Sequence, residues 1–65
     1  MQAKNARIVG QVLAALPARD RQALVRFYVH GEPADAVCRA TGLTEGEFRL
    51  IKTQAKASFL ALARS

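Results

Sequence analysis

Residues 42–59 read GLTEGEFRLIKTQAKASF. Thr44 followed three residues later by Glu47 is a capping box. The hydroxyl accepts from one orphan backbone N–H of a nascent helix, and the carboxylate accepts from another. Phe48, Ile51, Ala55, Phe59 and Leu62 then recur within one narrow stripe at helical spacing. No Pro or Gly interrupts residues 47–65, so a helix is expected over residues 44–63, with Gly42 making the turn before it. Burying the stripe leaves Arg49, Lys52, Thr53 and Lys56 on an adjoining outward strip, three or four residues apart. Glu45 and Glu47 sit in the first turn, where the helix macrodipole favours an acid by about 0.3–1 kcal/mol each.

Upstream, the same periodicity predicts three more helices. Ile8, Val9, Val12, Leu13 and Leu16 fall on one side of a helix over residues 3–16, opposite Lys4, Arg7, Gln11 and Ala14. Pro17 stops it, because the residue before a proline avoids helical geometry. Leu24, Phe27 and Tyr28, with Ala23 beside them, form the apolar stripe of a helix over residues 18–30. Arg19, Gln22 and Arg26 face out, and Gly31 ends the helix left-handed. A short helix over residues 33–41 opens at Pro33, whose missing N–H suits a first helical position. Ala36, Val37 and Ala40 turn inward there, and Gly42 closes the helix. Strand alternation and tight hairpin dipeptides are absent. The expected fold class is all-α: one small four-helix domain over residues 1–65. Its third and fourth helices, joined by ATGLT, form a helix-turn-helix.

Composition narrows the chemistry. A chain of 65 residues buries only about 60% of its unfolded surface. Cys38 is the one cysteine, so no internal disulfide reinforces the core; a lone thiol suits a reducing, cytoplasmic setting. One Cys and one His do not make a four-ligand metal site. No apolar run approaches the roughly 20 residues of a membrane span, and MQAKNARIVG carries no secretory leader pattern. The net charge is +5. Lys4, Arg7, Arg19, Arg21 and Arg26 face only Asp20 across the first half, and Arg49, Lys52, Lys56 and Arg64 close the chain without an acid. The acids Glu32, Asp35, Glu45 and Glu47 gather between. A basic terminal element points to a polyanionic partner.

The run LPARDRQALVRFYVHGEPADAVCRATGLTEGEFRLIKTQAK resembles region 4 of the bacterial sigma factors, especially the extracytoplasmic-function group. The resemblance rests on Leu16-Pro17, Arg21, Leu24, Phe27-Tyr28 and Gly31, then on the Gly42-Leu43-Thr44 turn, Phe48, and Gln54-Ala55-Lys56. It covers roughly residues 8–59. Pro33 stands where the family usually has a capping hydroxyl, Ala36 where it has Glu, and Thr41 where it has Leu. Leu50, Ile51 and Gln54 stand where basic or polar residues are common. The resemblance implies a helix-turn-helix that places its last helix in the major groove of the minus-35 promoter element. It also implies docking on the β flap of RNA polymerase through the first helices. Such a protein works in the cytoplasm by recruitment, with no cofactor and no catalysis.

Candidate site residues follow from that geometry. Arg and Lys donate to guanine O6 and N7 in the major groove, which singles out Arg49, Lys52 and Lys56. Thr53 suits a thymine methyl or a phosphate, and Arg39 and Thr44 suit the backbone, which orients a domain without reading sequence. Glu47 is assigned to the cap. Glu45 is either a cytosine reader or a solvated acid. Leu50, Ala57, Leu60 and Ala61 lie away from the core stripe and suit a partner helix: a second copy, an anti-sigma regulator, or another part of a longer chain. That second reading, a sigma-like domain used for protein interaction, stands beside the first. A third is the C-terminal domain of a two-component regulator, against which the Leu-Pro opening and the aromatic-Gly ending speak. His30 lacks a nucleophile or carboxylate partner for catalysis. Cys38 is assigned to the core, as are Phe27 and Tyr28.

Overall fold

The computed structural model describes residues 3–64, with side chains from Asn5 onward; the outward position expected for Lys4 lies outside the described atoms. Four α-helices follow one another: α1 (Ala3–Ala14), α2 (Ala18–Leu24), α3 (Ala34–Thr41) and α4 (Glu45–Arg64). A π-helical segment, Val25–Val29, continues α2. No strand occurs among the described residues. The 34 Å long axis is close to the roughly 30 Å that a 20-residue helix such as α4 spans.

α1 ends two residues short of the expected boundary. Ala15 and Leu16 form a tightened last turn, with Leu16 N–H donating to Leu13 C=O at 3.2 Å. Pro17 is extended, at ψ 152, and the chain leaves the helix to reach it. The second helix also departs from a uniform α-helix. His30 N–H donates to Val25 C=O at 3.1 Å and Glu32 N–H to Arg26 C=O at 3.0 Å, so the last turn is wider than an α turn. Widening changes the angular register of everything after Leu24. Tyr28, expected in the core, is 65% exposed, and Val29 is 70% exposed. Gly31 then takes φ +68, the left-handed conformation that terminates the segment.

Pro33 is the N-cap of α3 rather than its first residue: its ψ of 154 is extended, and helical geometry begins at Ala34. Gly42 adopts φ +75 and donates its N–H to Cys38 C=O at 2.9 Å, closing α3 as expected. Thr41 donates its hydroxyl to Val37 C=O at 2.7 Å. Ala40, expected inward, is exposed, and Cys38 is buried.

The core is one cluster of Ala23, Leu24, Val37, Cys38, Leu43, Phe48 and Ile51, flanked by Leu13, Leu16, Phe27, Ala34 and Ala55. Phe48 and Val37 are its largest fully buried side chains. α2, α3 and the first half of α4 share this cluster. α1 packs along α4, burying Ile8 and Val12. The stripe on α4 is deepest at its start: Phe48 and Ile51 are buried and Ala55 and Phe59 half-buried. Leu62, placed in the stripe from sequence, is 40% exposed. No helix among the described residues is long and apolar enough to cross a membrane.

Candidate nucleic-acid interface

α3 and α4 meet through Gly42, Leu43 and Thr44. Leu43 is buried and pins the turn to the core, so the start of α4 is held at a fixed place on the surface. The capping box forms as the spacing requires. Thr44 N–H donates to Glu47 Oε1 at 2.9 Å, and Glu47 N–H donates to Thr44 Oγ1 at 3.0 Å. Those bonds hold the Glu47 carboxyl below its ordinary pKa, the backbone N–H of Thr44 first and its hydroxyl second. Glu47 is thus committed to the helix start, and so is the Thr44 hydroxyl.

Phe48 and Ile51, turned inward, orient the opposite side of α4 to solvent. Arg49 and Lys56 are exposed, and no side-chain hydrogen bond or ion pair among the described residues engages the head group of either one or of Glu45. The three lie along one face, since positions four and seven residues apart are neighbours on a helix surface. Thr53 lies beside them, but its hydroxyl donates to Arg49 C=O at 3.0 Å, leaving its methyl and its acceptor lone pairs outward.

Lys52 is placed differently from its neighbours. It is half-buried, and its Nζ lies 4.7 Å from the Phe27 ring centroid and 4.8 Å from that of Phe48. The two rings meet edge to face at 5.4 Å, and Phe27 meets Tyr28 in the same way at 4.9 Å. A cation over aromatic faces gains about 0.5–2 kcal/mol according to its desolvation. Lys52 therefore ties α4 to the π segment and does not project beside Arg49. Arg39 is exposed but pairs with Asp35 one turn earlier on α3, at 3.4 Å. An exposed pair of this kind is worth at most about 1 kcal/mol, so a phosphate can compete for the guanidinium.

Leu50, Ala57, Leu60 and Ala61 are all exposed, with Leu50 at 57%. A different apolar surface is better formed. Val9, Val12 and Leu13 of α1, Leu24, Val25, Tyr28 and Val29 of the second helix, and Ala55 and Phe59 of α4 line an open groove of about 550 Å³. Lys52 and Lys56 are the charged residues on its lining. The sequence carried no sign of it, because α-helical periodicity turned Tyr28 inward and the π turn brings it out. A broader polar depression along the second helix holds Arg21, Gln22, Arg26, His30 and Glu32. There Glu32 already accepts from Arg26 Nη1 at 3.3 Å on both oxygens.

The family model described as Sigma-70, region 4 matches residues 6–58, a span running from α1 through the greater part of α4. No curated protein and no solved structure matches the chain.

Proposed function

The chain belongs to the sigma-70 region 4 family, and from that membership we propose that it reads duplex DNA at the minus-35 promoter element while docking on RNA polymerase. The observation that carries the reading is the outward face of α4. The helix is fixed from below by Phe48 and Ile51, and it presents Arg49 and Lys56 with no internal partner. A B-DNA major groove admits an α-helix and offers guanine O6 and N7 to such donors. Arg39 and the O–H of Thr44, whose oxygen accepts from Glu47 N–H, stand at the edges of that face as phosphate contacts that set register, and Thr53 offers its methyl to a thymine methyl. The net charge of +5 steers the domain toward a polyanion. The work is recruitment in the bacterial cytoplasm: no bond is made or broken, and no cofactor takes part.

The groove between α1, the second helix and α4 supports the second half of the proposal. Its apolar lining and exposed Tyr28 and Val29 suit an amphipathic helix laid on the domain, which is the part assigned to the flap of the polymerase β subunit. The same groove is the observation that favours a protein-interaction reading, with an anti-sigma regulator or a second copy in place of the polymerase.

Binding of the chain to minus-35 duplexes at rising salt tests the DNA half. The logarithm of affinity should fall linearly with the logarithm of salt, by about 0.9 for each phosphate neutralised. Absence of binding even at low salt removes promoter reading and leaves the interaction role.

A further inference from the structure

The groove between α1, the second helix and α4 is apolar inside and edged by positive charge. Lys52 and Lys56 are the charged residues on its lining. Lys52 is drawn over the Phe27 and Phe48 rings, so the exposed Lys56 is the cation that α4 offers to an occupant. Val25 lines both the groove and the polar depression beside it, which sets Arg21 and Arg26 just past the wall that the second helix forms. The acid in that depression, Glu32, already accepts from Arg26 on both oxygens at 3.3 Å. A concavity between helices takes a convex occupant such as an amphipathic helix, and cations on the rim select an acidic one. A second copy of this chain does not supply it. Of the five acids, Asp20, Glu32 and Asp35 pair with arginines and Glu47 caps α4, which leaves Glu45; two copies at +5 each also repel.

Lys56 belongs to two surfaces. It lines the groove, and it stands on the outward face of α4, about two turns beyond Arg49. An ammonium swung toward the groove is withdrawn from a phosphate on the outward face. We propose that the groove receives an acidic amphipathic helix of a partner protein, whose carboxylates engage Lys56 on the α4 side and Arg21 on the side of the second helix, and that its docking withdraws Lys56 from DNA. This assignment rests on the DNA-reading and docking roles above. It goes beyond them in fixing the partner's charge and in setting the two ligands against each other. By linkage, the duplex weakens the helix by the same factor as the helix weakens the duplex.

The probe is a stapled helical peptide with leucines at i, i+3, i+4 and i+7 and glutamates along both edges, set against a twin with glutamine for glutamate. The domain should bind the glutamate peptide, and the twin roughly five- to tenfold more weakly, as two or so exposed ion pairs allow. Tyr28→Asp, at an exposed position, should abolish binding in a chain whose circular dichroism is unchanged. With the glutamate peptide saturating, the slope of log affinity for a minus-35 duplex against log salt should lessen by about 0.9, one phosphate contact. In Lys56→Met, which keeps the stem and loses the charge, the peptide should leave the slope where it was. Equal binding of the twin overturns the charge selection, and an unaltered slope in the wild type overturns the sharing of Lys56. If the duplex binds and neither peptide does, the inference falls and DNA reading stands. If the peptide binds and no duplex does, DNA reading falls and the opposition falls with it. A dimer that Tyr28→Asp dissolves in sedimentation, or phosphatidylglycerol vesicles that displace the peptide, would give the groove to another occupant and overturn the proposal.

Discussion

Thr44 shows how much one side chain decides here. Its hydroxyl and its N–H both serve the start of α4, so Thr44→Ala should lower stability by about 1 kcal/mol, read as a smaller denaturant midpoint with an unchanged slope. Glu47 adds a pH dependence of known sign. Its folded pKa lies below the ordinary 4.5, so the carboxylate's contribution is present above the unfolded value and is lost as pH falls through the folded one. The stability gap between the wild type and Glu47→Ala should therefore narrow on acidification below about 4.5 and be flat near neutrality, as followed by thermal unfolding across pH. Phe48 is nearly fully buried, and Phe48→Ala should cost about 3–5 kcal/mol. That consumes most of a small domain's stability, so circular dichroism should show a largely unfolded chain. These residues were legible in the sequence: a capping box and a stripe of apolar side chains are local patterns, and locality is what periodicity reports. Lys52 was not. Its spacing put it with Arg49 and Lys56, but Phe27, about twenty-five positions away along the chain, draws it aside.

Each helix shows the same division. α4 has its predicted start and its predicted inner face, because cap and stripe agree. α1 and α3 differ from expectation at their ends, where Pro17 and Pro33 take extended geometry, and α3 also in exposing Ala40. The second helix differs in its interior: its last turn is a π segment, and nothing in residues 25–29 announces a change of period. Three predictions belong to these elements. Gly42→Ala puts a Cβ on a backbone at φ +75 and should destabilise by more than about 1 kcal/mol, although space around the new methyl is open. On α4, Lys56→Ala should reduce the slope of log affinity against log salt by about one. Lys52→Met, which keeps the buried stem and loses the cation over the rings, should leave that slope unchanged. A reduced slope for Lys52→Met would place its ammonium on phosphate and not on Phe27 and Phe48.

The assembled domain carries two adjoining surfaces on α4, which meet at Lys56. One is the outward face with Glu45, Arg49 and Lys56. The other is the apolar groove that α4 shares with α1 and the π segment. Tyr28→Asp should weaken binding of the domain to RNA polymerase by tenfold or more while DNA binding and its salt slope stay as they are, measured side by side on one preparation. Equal loss of both would merge the two surfaces into one. The helical class, the helix-turn-helix, its caps and the family could be read from the residues alone, because each depends on neighbours within one or two turns and on backbone restrictions of Pro and Gly. Which cations of α4 remain free, and the existence of the groove, depended on the packed chain. Both turn on Phe27 and Tyr28 meeting α4 and α1 across the fold, and a contact between distant segments leaves no period in the sequence.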